Sequence, residues 1–119
     1  MAREIIDQNE NVKKLSYELK SGLKTIFGHK LKKIIIYGSY ARGEFEEGSD
    51  IDIMVLLDMV EDEIEKKKDE VIDLTVELTT RFGIVISIIE NNHDYFNDWM
   101  EVLPFFANVA KEGVSIYGR

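Results

Sequence analysis

Gly38-Ser39, followed eleven residues later by Asp50 and Asp52, is the grouping in this chain best equipped for chemistry. The apolar run Ile34-Ile35-Ile36-Tyr37 is β-branched and aromatic, bounded by Lys33 and Gly38, and reads as a buried strand. Beyond Gly38, Ser39-Tyr40-Ala41-Arg42 has the composition of a short helix whose first amides offer N–H donors to an anion such as phosphate. A glycine at that turn lets a triphosphate approach the backbone and accommodates positive φ. Ser49-Asp50-Ile51-Asp52-Ile53-Met54-Val55 then alternates with period two. Asp50 and Asp52 therefore share one strand face, their roots roughly 7 Å apart, where their oxygens can converge on Mg²⁺. Each element alone has a bland reading: Asp-x-Asp is usually a solvated strand end, and Gly-Ser is mostly a turn. Combined on consecutive strands, they point to metal-assisted nucleotidyl transfer.

On those residues the chain resembles the small MNT-type domains of the DNA polymerase beta-like nucleotidyltransferase superfamily. The signature of that group, Gly-Ser, Ala-x-Gly and Ser-Asp-x-Asp, stands here as Gly38-Ser39, Ala41-Arg42-Gly43 and Ser49-Asp50-Ile51-Asp52. The segment Phe106 to Val114 and Tyr117 resemble the group's closing helix and last strand. The resemblance implies a nucleotidyltransferase fold and a nucleoside triphosphate site, with Gly38 and Ser39 holding phosphate and Asp50 and Asp52 holding Mg²⁺. Arg42 would neutralise developing charge. The implied reaction moves a nucleoside monophosphate, AMP from ATP, onto a hydroxyl of a protein acceptor. MNT-type proteins are antitoxins paired with helical HEPN-domain toxins, so the resemblance implies such a partner and a tyrosine on it as acceptor.

The chain departs from the pattern at one position. Active members carry a third acid on the next strand, in a Val-Asp-hydrophobic-Val pattern that binds metal or takes the acceptor's proton. The matching run here is Gly83-Ile84-Val85-Ile86-Ser87-Ile88-Ile89-Glu90, with Ser87 at the acidic position. A neutral hydroxyl is a poor magnesium ligand and a negligible base at neutral pH. Glu90 is the nearest acid, but three residues on it faces the other way, and only a bulge or strand end would re-aim it. Two function classes follow: an adenylyl-transferring enzyme, or a catalytically weak protein of the same fold that neutralises its partner by binding.

Composition bounds the remainder. A chain of 119 residues with 45% hydrophobic content is expected to form one domain, residues 1–119, burying about two-thirds of its unfolded surface. The net charge of −8 argues against a nucleic-acid template, whose phosphates require Lys and Arg. Charge is uneven, with nine basic and four acidic residues in 1–42 against six and nineteen beyond. Cysteine is absent, which excludes disulfides and thiolate metal sites. Met1 to Asp7 lacks an apolar signal core and no window suits a membrane helix, so a cytoplasmic location is expected.

The positioning elements follow from periodicity. Val12, Leu15, Leu19, Leu23 and Ile26 mark an amphipathic helix over about 8–27, stopped by Gly28. Strands are expected over 32–38, 50–57 and 84–90, with Glu44, Glu46 and Glu47 in a solvated loop between the first two. Glu61 to Glu70 pairs Asp62 with Lys66 and Glu63 with Lys67 and reads as the start of one long helix, with a stripe of Ile64, Val71, Leu74 and Leu78, ending near Phe82-Gly83. Asn91, Asn92 and Asp94 supply caps for a helix through Trp99, and Pro104 begins or kinks the next. The order αβαβαβα gives an α/β (α+β) fold: a mixed sheet of three or four strands with flanking helices. His29 and His93 lack a second ligand at metal spacing. Tyr95, Phe96, Trp99, Phe105 and Phe106 read first as core and secondly as an anchor patch for a partner.

Overall fold

The computed structural model describes residues 9–118. Met1 to Asp7, read above for a missing signal core, and position 8, where the first helix was expected to start, lie outside them.

Helix α1 (Glu10–Phe27) begins where the Asn9 side chain accepts from the Val12 amide, and ends at Gly28 with φ 57. Its stripe Val12, Leu15, Leu19, Leu23 and Phe27 is buried as the spacing requires, with Ile26 partly buried. A 3-10 turn over Gly28–Lys30 leads into β1 (Leu31–Tyr37), followed by the short helix α2 (Ser39–Arg42) and β2 (Ile51–Leu57). The expected single long helix is instead two, α3 (Glu61–Glu65) and α4 (Lys68–Phe82). The break at Lys66-Lys67 lets α3 pack Ile64 near β3 while α4 runs along α1. Lys67 pairs with Glu70 at 3.3 Å, so the expected Glu63–Lys67 rung across the break is not formed. Ile64, Val71 and Leu78 are buried, and Leu74 packs against the open side of Gly22.

Strand β3 (Ile86–Asn92) is followed by α5 (His93–Trp99), α6 (Pro104–Glu112) and β4 (Val114–Tyr117). Asn92 caps α5 by accepting from the Tyr95 amide, and Pro104 occupies the first turn of α6, where its missing N–H costs nothing. The sheet order is β3-β2-β1-β4, with β1 antiparallel to β2 and β4, and β2 parallel to β3. The sheet is thus mixed and four-stranded, and β4 extends the αβαβαβα order.

Strand parity divides the core. Ile34, Ile36, Ile51, Ile53, Val55 and Leu57 pack toward α1 and α4, whereas Ile35, Met54 and Leu56 pack with Phe96, Phe106 and Val109 of α5 and α6. The second face ends at Tyr37 and Asp52. Among the described residues no helix is long and apolar enough to cross a membrane.

Candidate active site

The chain reverses direction between β1 and α2 at Gly38, whose φ of +74 is the left-handed region that favours glycine. A Cβ at Gly38 would overlap the carboxylate of Asp52, so this glycine is needed twice: for its φ, and for the close approach of Asp52 to the turn. Register explains the approach, since Tyr37 and Asp52 are direct cross-strand partners. Helix α2 has no side-chain cap at Gly38, and its turn is closed by the Arg42 amide donating to the Gly38 carbonyl at 3.1 Å.

Asp50 is carried to the same end by a braced loop. The buried Tyr40 ring stacks on Phe45 with centroids 4.1 Å apart, and its hydroxyl donates to the Ser49 carbonyl at 3.4 Å. The Ser49 hydroxyl accepts from the Glu46 amide at 2.9 Å, and the Ile51 amide donates to the Val85 carbonyl at 2.9 Å, fixing the start of β2. Asp50 is therefore exposed, Asp52 is half-buried, and Ile51 between them is fully buried.

Burial raises the Asp52 carboxyl above its ordinary value, the Asp50 charge raises it further, and Arg42 opposes both. Tyr37 is raised by burial and by the Asp52 charge, and Tyr40 by burial and the Asp50 charge. Two carboxylates that raise neighbouring groups in this way make a site short of positive charge. Arg42 does not fill that need unaided: its guanidinium donates to Glu44 at 2.8 Å and to Glu112 of α6 at 3.2 Å. Glu46 and Glu47 stay in the solvated loop as expected, whereas Glu44 is drawn to Arg42.

These observations bear on the divalent ion that the resemblance implies. Among the described residues no group of three or more His, Cys, Asp or Glu gathers. Asp50 and Asp52 supply hard oxygens, and Mg²⁺ is commonly held by one or two carboxylates with water and substrate phosphates completing the shell. A cation there would relieve both the desolvation of Asp52 and its repulsion from Asp50. The donor set fits.

Ser87 is the register partner of Asp52 on β3, so in this parallel pair it stands beside that carboxylate on the same face. Glu90 pairs with Val55 and lies on the opposite face, in an open cavity lined by Ile64, Glu65 and Lys68. No bulge re-aims it. Its Oε2 is buried without a hydrogen-bond partner, and burial raises its carboxyl above the usual range, with Lys68 opposing and Glu65 adding to the rise. A raised folded-state value means the folded protein holds the proton more tightly than the unfolded chain. That contribution is present at low pH and is lost as pH rises from about 4.5, the unfolded value, through the folded one. Glu90→Gln should therefore melt above wild type at pH 7, and the gap should close toward pH 4. Melting curves of both proteins across that range test the expectation, and a gap independent of pH would remove it.

The histidines stay apart from this site. His29 is exposed, and His93 contacts Asn97 at 3.3 Å on α5. Two features of the site lack a sequence signal: the Arg42–Glu112 contact, seventy residues long in sequence, and the edge-to-face contact of Tyr37 with Phe105 at 5.6 Å.

Residues 16–105 match the family model of the nucleotidyltransferase domain. The chain belongs to this nucleotidyltransferase family. A candidate protein adenylyltransferase of Methanocaldococcus jannaschii is 37% identical over 110 residues, covering 90% of this chain and 99% of that protein. Among solved structures, a toxin–antitoxin complex with AMP-PNP shares the fold at TM-score 0.60 and 21% identity, over 87% of this chain and 73% of the other. The complex of tri-AMPylated Shewanella oneidensis HEPN toxin with MNT antitoxin does so at TM-score 0.55 and 18% identity, over 90% and 72% of the two chains. The chain is thus a nucleotidyltransferase whose fold is that of chains in HEPN–MNT complexes.

Proposed function

We propose that this nucleotidyltransferase transfers AMP from ATP to a hydroxyl of a protein acceptor, and that the acceptor is a helical HEPN-type partner. The observation that carries the site reading is the Asp52 carboxylate held against the Gly38 turn with Asp50 beside it. The relative named as a candidate protein adenylyltransferase supports the adenylyl and protein parts. The AMP-PNP complex and the AMPylated HEPN toxin among the fold neighbours support nucleotide and partner.

In this reading the Gly38 and Ser39 backbone holds the phosphates, Asp50 and Asp52 hold Mg²⁺, and Arg42 leaves Glu44 and Glu112 to meet phosphate oxygens. Bound Mg²⁺ would offset charge on the triphosphate and the leaving group. The acceptor O–H attacks the α-phosphorus, a new P–O bond forms, the α–β P–O bond breaks, and pyrophosphate leaves. The acceptor's proton passes to water or to a base on the acceptor, because Ser87 cannot hold it. A cytoplasmic location is part of this reading, supported by the proposed ATP donor.

Ser87 also favours a second reading, in which the protein restrains its partner by binding alone. Either way the partner must be docked whole. Tyr95, Trp99 and Val102 are exposed on α5 and the turn after it, the surface the anchor-patch reading requires.

Mg²⁺ with ATP at about 100 times Kd should stabilise the protein by about 2.7 kcal/mol and raise Tm by roughly 10 °C. Thermal shift with and without EDTA measures it. An unchanged Tm at millimolar ATP, with no heat by calorimetry, would sink the nucleotide reading. Label from α-labelled ATP appearing on a co-expressed HEPN-type partner separates transferase from pure binder.

A further inference from the structure

We propose that Phe105, seated on Tyr37 at the rim of the Asp52 site, is the platform on which the base of the bound nucleoside triphosphate stacks. The inference rests on the nucleotide reading above and adds to it where the base lies and what holds it.

Position carries the first part of the argument. Tyr37 is the direct cross-strand partner of Asp52, so the two side chains stand side by side on one sheet face. The Phe105 ring meets Tyr37 edge-to-face with centroids 5.6 Å apart. One cross-strand pairing and one ring contact thus link Asp52 to Phe105, which sets the Phe105 ring beside the site with only Tyr37 between them. Helix α6 borders the site at both ends, since Glu112 at its other end reaches Arg42. A nucleotide with its phosphates at Gly38 and Arg42 has the Phe105 end of α6 open to its uncharged portion.

Chemistry carries the second. Phe105 is 46% exposed although its neighbour Phe106 is buried, so a large apolar face is left in water beside a polar site. It is backed by packed rings: Phe105 meets Phe106 at 6.1 Å, Phe106 packs on Phe96 at 4.9 Å and on Tyr95 at 5.8 Å, and Pro104 sets the start of the helix. A flat, pre-positioned apolar face suits the one part of the nucleotide that is flat and uncharged. Asp50, Glu44 and Glu112 around the remainder of the site repel any anionic group that lacks a cation. Stacking reads the π-face and no hydrogen-bonding edge, so the site should favour purine over pyrimidine triphosphates and separate ATP from GTP weakly.

The test is a calorimetric titration of the full chain in Mg²⁺ with ATP, CTP and inorganic tripolyphosphate. Phe105→Ala should weaken ATP about tenfold or more, leave tripolyphosphate unchanged, and be rescued by Phe105→Trp. Phe105→Leu keeps the apolar volume and loses the flat face, so it should weaken ATP in the same way, which separates stacking from damage to the fold. Equal ATP affinity of wild type and both variants would overturn the stacking role and leave the nucleotide reading standing. So would Phe105→Ala losing the acceptor protein while keeping ATP, because Phe105 would then belong to the docking face. Wild type binding neither ATP nor tripolyphosphate would remove the nucleotide reading itself, and this inference with it.

Discussion

Asp52→Asn should lower transfer of label from α-labelled ATP by about 10³-fold or more and, in metal-free buffer, raise the melting temperature. The first effect follows from losing a carboxylate of the Mg²⁺ pair, a loss worth several kcal/mol at about 1.4 kcal/mol per tenfold in rate. The second follows from the direction of the Asp52 shift. Burial and the Asp50 charge raise its carboxyl above 3.8, so the folded state disfavours the ionised form, and the cost grows as pH rises through that window. Asparagine removes the charge and with it the cost. The gain should be present at pH 7 and absent below about pH 3.8, where wild-type Asp52 is protonated folded or unfolded. Adding Mg²⁺ and ATP should reverse the order of the two proteins, because only wild type gains from the ligand. Paired melting curves and transfer assays decide it; a variant that transfers at the wild-type rate would mean that Asp52 is not part of the site.

Ser87→Asp should raise transfer by about 10²-fold, the usual return from a positioned general base. The register places residue 87 beside Asp52 on the same sheet face, so the introduced carboxylate would join the existing pair. The same change should lower the metal-free melting temperature, since a third like charge enters an already electronegative site. Glu90→Gln should leave the rate unaffected, because Glu90 lies across the sheet beside Lys68. Wild type transferring at ordinary enzymatic rates, with no gain from Ser87→Asp, would show that the acceptor brings its own base. Wild type failing to transfer while the variant succeeds would favour the binding-only reading of the natural protein.

Much of this architecture is legible in the sequence, because it rests on local rules. The α1 stripe, the stop at Gly28, the Asn92 cap and the start at Pro104 each involve residues within a turn or two of one another. Strand parity is equally local, so the sequence alone sets Asp50 and Asp52 on one face and Glu90 on the opposite face from Ser87. The aromatic group shows where such rules stop. Phe96 and Phe106 are core, while Tyr95, Trp99 and Phe105 are exposed, so the core reading holds for only part of the group. Periodicity over two short helices cannot say which side meets the sheet, since that depends on how each helix crosses it.

Composition and spacing by themselves determined a mixed α/β fold with two carboxylates on one strand face beyond a glycine turn. Tertiary structure decided the rest. Sheet order set Ser87 next to Asp52; the break at Lys66-Lys67 let Ile64 and α4 satisfy different neighbours; and the return of α6 brought Glu112 to Arg42 and Phe105 to Tyr37. Those contacts join residues far apart in sequence, and their energies depend on the packing of both sheet faces at once, which no local pattern encodes.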